Sequence, residues 1–180
     1  MNFSKEEKHH YLSLANHAIY AQLTNTSINQ EIITQAESMP SANKKNGVFV
    51  TLKKNHNLRG CIGCITSTTP LVETIPYYSI QAAINDHRFP PVSTTELSDI
   101  LITLSVLSPP SPTENYSQIK IGTHGIIFEY QNYRSVFLPE VPIEQQWDLI
   151  TTLKHLEKKS GAPSNAWKSA TYQVFESIKW

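Results

Sequence analysis

Both cysteines of this 180-residue chain fall within four positions, in the segment Leu58-Arg59-Gly60-Cys61-Ile62-Gly63-Cys64. A guanidinium two places before Cys61, with glycines close on either side, is a neighbourhood in which a thiol can do chemistry. Cations and convergent backbone N–H groups favour the thiolate, the nucleophilic form of cysteine. N–H groups around Gly60 and Gly63 would also receive an oxyanion or a carboxylate. The same residues permit two other readings: a pair of metal ligands, or a tight turn beside a packed Cys61, because free cysteine is often a small buried hydrophobe. The Cys61–Cys64 spacing is that of a dithiol exchange motif. Ile65 to Thr69 separate it from the next helix-forming run, however, which weakens a thioredoxin-like assignment. A structural zinc site takes four ligands, and the chain has no second cysteine pair, so we expect no metal.

Other residues supply candidate partners for that thiol. His124 lies between Gly122 and Gly125, and imidazole moves protons near neutral pH, so it is the expected acid–base partner of Cys61. A turn histidine bonded only to a local carbonyl is the plain alternative. Asp86 would orient His124 or cap its own loop. Arg59, Arg88 and Arg134 are expected to hold an anionic substrate through paired donors, although Arg88 could instead lock its loop to Asp86 or Glu96. Glu140 would orient the site or pair with Arg134. The expected set is therefore Cys61, His124 and Asp86 for catalysis, with Arg59, Gly60, Gly63, Arg88, Arg134 and Glu140 for substrate binding. His87 is the runner-up base.

The elements that must position these residues follow from local signals. Ser4 and Glu7 form a capping box, and Tyr11, Leu14, Ala15, Ala18 and Ile19 then recur at helical spacing, predicting a helix to residue 23. A short helix is expected over 28–37 and a strand over 47–53, where Val48, Val50 and Leu52 alternate with Phe49 and Thr51. Thr69-Pro70 reads as the cap and first position of a helix to residue 85. Asp86 to Pro91 must be a loop, because Pro90 and Pro91 fix φ and lack donors. The run 100–107 alternates as a strand. We expect a hairpin from 119–121 and 125–130, a strand over 134–138, one helix over 142–160 stopped by Gly161, and a closing strand over 172–178. Hairpins and helices in this order give an α+β class: a largely antiparallel sheet packed by several helices, with room for a small accessory lobe. Residues 1–180 are read as one domain.

Composition narrows the function classes. Fifteen basic and fifteen acidic side chains cancel, whereas nucleic-acid binders usually carry a cationic surplus. Nucleic acid is therefore not expected as a partner. No run reaches the apolar length of a membrane span, and the N-terminal residues lack a secretory h-region. Two cysteines without an export signal suit the cytoplasm. No phosphate-cradling loop, dinucleotide fingerprint or iron–sulfur spacing is present, so no cofactor is expected.

Taken in order, Leu58-Arg59-Gly60-Cys61-Ile62-Gly63, the Asp86 to Val92 segment, Leu104 to Pro109, His124-Gly125, Leu138-Pro139-Glu140-Val141 and Trp147-Asp148 resemble the AMMECR-like family, protein A of the AmmeMemoRadiSam group. The resemblance is strongest over 47–178. It implies an α+β fold with a cleft near the glycine–cysteine segment, and draws attention to Arg59, Cys61, Asp86, Arg88 and His124. It also implies a Memo-like or radical-enzyme type of protein partner. Cys64 and His87 depart from the family pattern, which argues against a shared dithiol mechanism and against His87 as a general catalytic residue. Two functions are expected to compete. One is a cysteine-dependent enzyme, or component of an enzyme system, acting on a small anionic substrate. The other is a non-catalytic module that binds a protein or ligand.

Overall fold

A computed structural model describes residues 1–180, which divide into two compact units: Met1–Leu107 with Ile178–Trp180, and Ser108–Ser177. The first unit opens with α1 (Lys5–Thr24), whose Ser4–Glu7 capping box forms as expected. Its stripe of Tyr11, Leu14, Ala15, Ala18 and Ile19 is buried. Helix α2 (Gln30–Glu37) follows, then β1 (Gly47–Lys54) and β2 (Asn57–Cys64). Asn55 and His56 turn the chain between them with φ of 50° and 65°. Helix α3 (Leu71–Ile84) is capped by Pro70, one residue later than the expected Thr69. A 3-10 turn (Thr94–Asp99) leads into β3 (Ile100–Leu107).

The sheet of this unit has the order β2-β1-β3-β8, where β8 is Ser177–Lys179. Val48, Val50, Leu52, Leu104 and Val106 project from one face into a core shared with Tyr11, Leu14, Ile75 and Ala82 of α1 and α3. Alternation along a strand sends the intervening residues to the opposite face. Phe49, Thr51 and Lys53 are accordingly only half-buried.

The second unit has a sheet of order β4-β7-β5-β6, built from Ser111–Pro112, Thr171–Phe175, Gly125–Tyr130 and Tyr133–Phe137. Ile126, Phe128 and Tyr172 pack with Leu153 and Leu156 of α5 (Leu149–Ser160).

Three expectations change. Residues 119–121 are not a strand; β5 pairs instead with β6 around Gln131-Asn132, because alternation continues across that tight turn. The helix expected over 142–160 is two, α4 (Glu140–Glu144) and α5. Gln146 at φ 56° breaks the chain between them, and Asp148 caps the new start by accepting from Thr151 N–H at 2.7 Å. The single closing strand is also two, β7 and β8, assigned to different sheets. Gly161, at φ 77°, ends α5 as expected.

Candidate functional site

The signature segment is an edge strand, not a turn. In β2, Cys61 lies opposite Thr51, which in turn faces Thr103 of β3. Thr51 Oγ1 is 3.3 Å from Cys61 Sγ, so the half-buried thiol shares the sheet face turned away from α1 and α3. Cys64, three positions on, projects to the helix side. Residues three apart on a strand are separated by roughly 10 Å, beyond the reach of a disulfide, and both cysteines are free. Dithiol exchange between them is therefore incompatible with this strand.

Glycine serves close approach here. A methyl group at Gly60 would overlap the carbonyl oxygen of Ala82, and one at Gly63 the carbonyl oxygen of Val48. Gly60 lets α3 lie against β2, and Gly63 lets β1 do so.

Asp86 and Arg88 bracket the open side of Cys61. Asp86 Oδ2 accepts from Cys61 N–H at 2.8 Å and from Arg88 Nη2 at 2.7 Å. Oδ1 accepts from Arg88 Nε at 2.9 Å and from its backbone N–H at 3.2 Å. Arg88 Nη2 also donates to the Cys61 carbonyl at 3.1 Å. Together the two side chains occupy the N–H and C=O that an edge strand leaves open. The fork-like pairing with Arg88 holds the Asp86 carboxyl well below the usual carboxylate range, aided by the backbone N–H donors and opposed by burial. One expected oxyanion donor, the Cys61 N–H, is thus engaged by Asp86.

Arg59 braces the following loop. Its Nη1 donates to Pro90 O at 2.8 Å, and its Nη2 to Pro91 O at 3.2 Å and Glu96 Oε1 at 2.6 Å. Lys54 joins Glu96 at 3.1 Å. Arg59, chiefly by its hydrogen bond, lowers the Glu96 carboxyl to about 2.

In the second unit, His124 Nδ1 accepts from Lys120 N–H at 3.2 Å. That occupies the basic lone pair and leaves the proton of the neutral ring on Nε2, so the remaining nitrogen is a donor. Arg134 pairs with Glu129 at 3.1 Å across the β5–β6 hairpin, and Glu140 opens α4.

The structure therefore brings Cys61, Asp86 and Arg88 together, with Arg59 of the same strand bracing the adjoining loop. Sequence reasoning missed Thr51, and it offered Glu96 to Arg88 where the structure pairs it with Arg59 and Lys54. Thr51 was legible as a member of the outward-alternating set on β1; its register against Cys61 was not. Cys64 borders a separate cavity of about 290 Å³ with Thr66, Ser67, Tyr77 and Tyr78. Burial first, then the Cys64 thiol, pushes the Tyr78 phenol up to about 12. No helix is long and apolar enough to cross a membrane.

This mixed fold of two antiparallel sheets recurs in a known structure. The AMMECR1 family model matches residues 12–180. A protein of Methanococcus aeolicus is 43% identical over 148 residues, covering 77% of this chain and 74% of the relative. Protein MJ0810 of Methanocaldococcus jannaschii is 40% identical over the same length, with the same coverage of each chain. The crystal structure of protein PH0010 from Pyrococcus horikoshii superposes with a TM-score of 0.84 at 33% identity, covering 98% of this chain and 92% of that one. This chain belongs to the AMMECR1 family.

Proposed function

We propose that the protein is a cytoplasmic enzyme, or the thiol-bearing component of an enzyme system, in which Cys61 takes an acyl group from a small anionic substrate. The observation that carries this reading is the half-buried thiol beside Thr51 at 3.3 Å, on a peptide bracketed from its open edge by Asp86 and Arg88. A nucleophile needs a defined position more than a flexible one, and the bracket supplies it. Asp86 and Arg88 then act as positioning residues. The Cys61 sulfur forms a bond to the acyl carbon as the bond to the leaving group breaks, and the thiol proton ends on that leaving group. Water then cleaves the thioester, regenerating the thiol and releasing the acid.

The test uses mono-p-nitrophenyl glutarate, an anionic activated ester. We expect p-nitrophenolate release together with an acyl adduct on Cys61 in the intact mass, both absent from Cys61→Ser. Release without any adduct on Cys61, or undiminished release by Cys61→Ser, would refute the assignment.

A second reading, a non-catalytic module for a protein of the Memo-like or radical-enzyme type, draws on a different observation. Arg59, Asp86 and the Cys61 N–H are all engaged within the chain. It predicts that Cys61→Ser leaves partner binding intact.

A further inference from the structure

The arginines selected from the sequence are committed to partners: Arg59 to Pro90, Pro91 and Glu96, Arg88 to Asp86 through two donors, and Arg134 to Glu129. A cation already matched to a carboxylate contributes little net charge to a ligand. Lys53 differs. It alternates with Phe49 and Thr51 on β1 and so lies on the thiol's face of the sheet. It is half-buried and stands outside all four ion pairs. The register sets it between Leu58 on β2 and Leu101 on β3, which are 41% and 63% exposed. Thr51, the neighbour of the Cys61 sulfur, is two residues away, about 7 Å along the strand.

We propose that Lys53 is the anion contact of the Cys61 site, and that the substrate is an aliphatic ω-carboxyacyl compound. Its free carboxylate pairs with the Lys53 ammonium, its methylene chain lies across Leu58, and its activated acyl carbon meets the Cys61 sulfur three residues along β2. The assignment rests on the thiol reading above and specifies its substrate. An unpaired ammonium set among aliphatic side chains favours a ligand that supplies both a negative charge and apolar surface, because each alone leaves one component unmatched. The neighbouring thiol row, Cys61–Thr51–Thr103, carries no charge of its own, so recognition of the anion falls to Lys53.

The test follows alkylation of Cys61 by iodoacetamide in a Cys64→Ser background, with hexanoate or neutral hexanamide as the competing probe. Hexanoate is expected to protect Cys61 and hexanamide to protect it far less. Lys53→Met should weaken the protection, measured against its own rate without hexanoate, by about tenfold, the scale of one charge-assisted contact. Lys53→Arg should retain protection, and Leu58→Ser should reduce it. Equal protection by the two probes, no protection by either, or full protection of Lys53→Met overturns the proposal. The two readings fail separately. Glutarate-ester acylation of Cys61 that is unaltered by Lys53→Met removes the Lys53 assignment and spares the thiol. Hexanoate binding to Cys61→Ser that depends on Lys53, with no acylation of the native protein, removes the thiol chemistry and leaves the anion site standing.

Discussion

Arg88 is more than half exposed, yet its loss is expected to be costly because of what it leaves behind. Asp86 is 8% exposed, and without the guanidinium its carboxylate keeps only backbone N–H donors. Removing the guanidinium strands a buried carboxylate, while solvent around the exposed Arg88 side moderates the loss, so Arg88→Met should destabilise the protein by about 1.5 kcal/mol at pH 7. The cost should shrink as the pH falls and the stranded carboxyl takes a proton. In the native protein, Asp86 and Glu96 both titrate lower when folded than when unfolded, Glu96 near 2 against an ordinary 4.5. The unfolded chain therefore binds more protons in acid. Their stabilisation is complete above the ordinary carboxylate range and drains away as the pH falls through it towards about 2. Urea unfolding followed from pH 6 to pH 2 should show this decline, and the double variant Asp86→Asn with Glu96→Gln should flatten it. An unchanged slope would show that these carboxyls do not drive acid unfolding.

At the level of elements, β2 illustrates how a glycine-rich segment can be a strand. Turn-like composition in 58–64 conceals the requirement that α3 and β1 both approach its backbone. Gly60→Ala must push α3 away from β2, at a cost of about 3 kcal/mol. Gly161→Ala is a useful contrast: no atom lies near the added methyl group, and the positive φ alone should cost about 1 kcal/mol. Thermal unfolding of the two variants should separate the two effects, and equal losses would contradict the close-approach role of Gly60. The same level explains the divided C-terminal helix. Apolar spacing from Ile143 to Leu156 reads as continuous, but periodicity is blind to a left-handed residue such as Gln146, after which Asp148 restarts the helix.

Over the whole molecule, the last residues complete the first unit. Leu104 and Trp180 exchange N–H to carbonyl bonds of 3.0 and 3.1 Å. The Trp180 indole packs on Phe3 with ring centroids 5.1 Å apart, and its Nε1–H donates to the Lys8 carbonyl at 3.2 Å. Closing so long a stretch of chain is entropically expensive, so this contact must be well packed to persist. Trp180→Ala should cost about 2 kcal/mol, less than a fully buried tryptophan. Deleting residues 178–180 should cost more and speed amide exchange at Leu104. Unaltered exchange there would mean that β8 is dispensable to the sheet.

Local grammar was sufficient for the capping box at Ser4, the alternation of 47–53 and 100–107, the Gly161 stop and the α+β class, because each depends on neighbours within a few positions. It also singled out Cys61, Asp86 and Arg88. Their relationship was decided only by folding: Asp86 meets a peptide 25 positions away, Arg59 turns to two proline carbonyls, and the two cysteines take opposite faces of one strand. Periodicity states which side of an element a residue occupies. Strand register and loop packing determine what waits there, and they arise from the simultaneous burial of the whole chain.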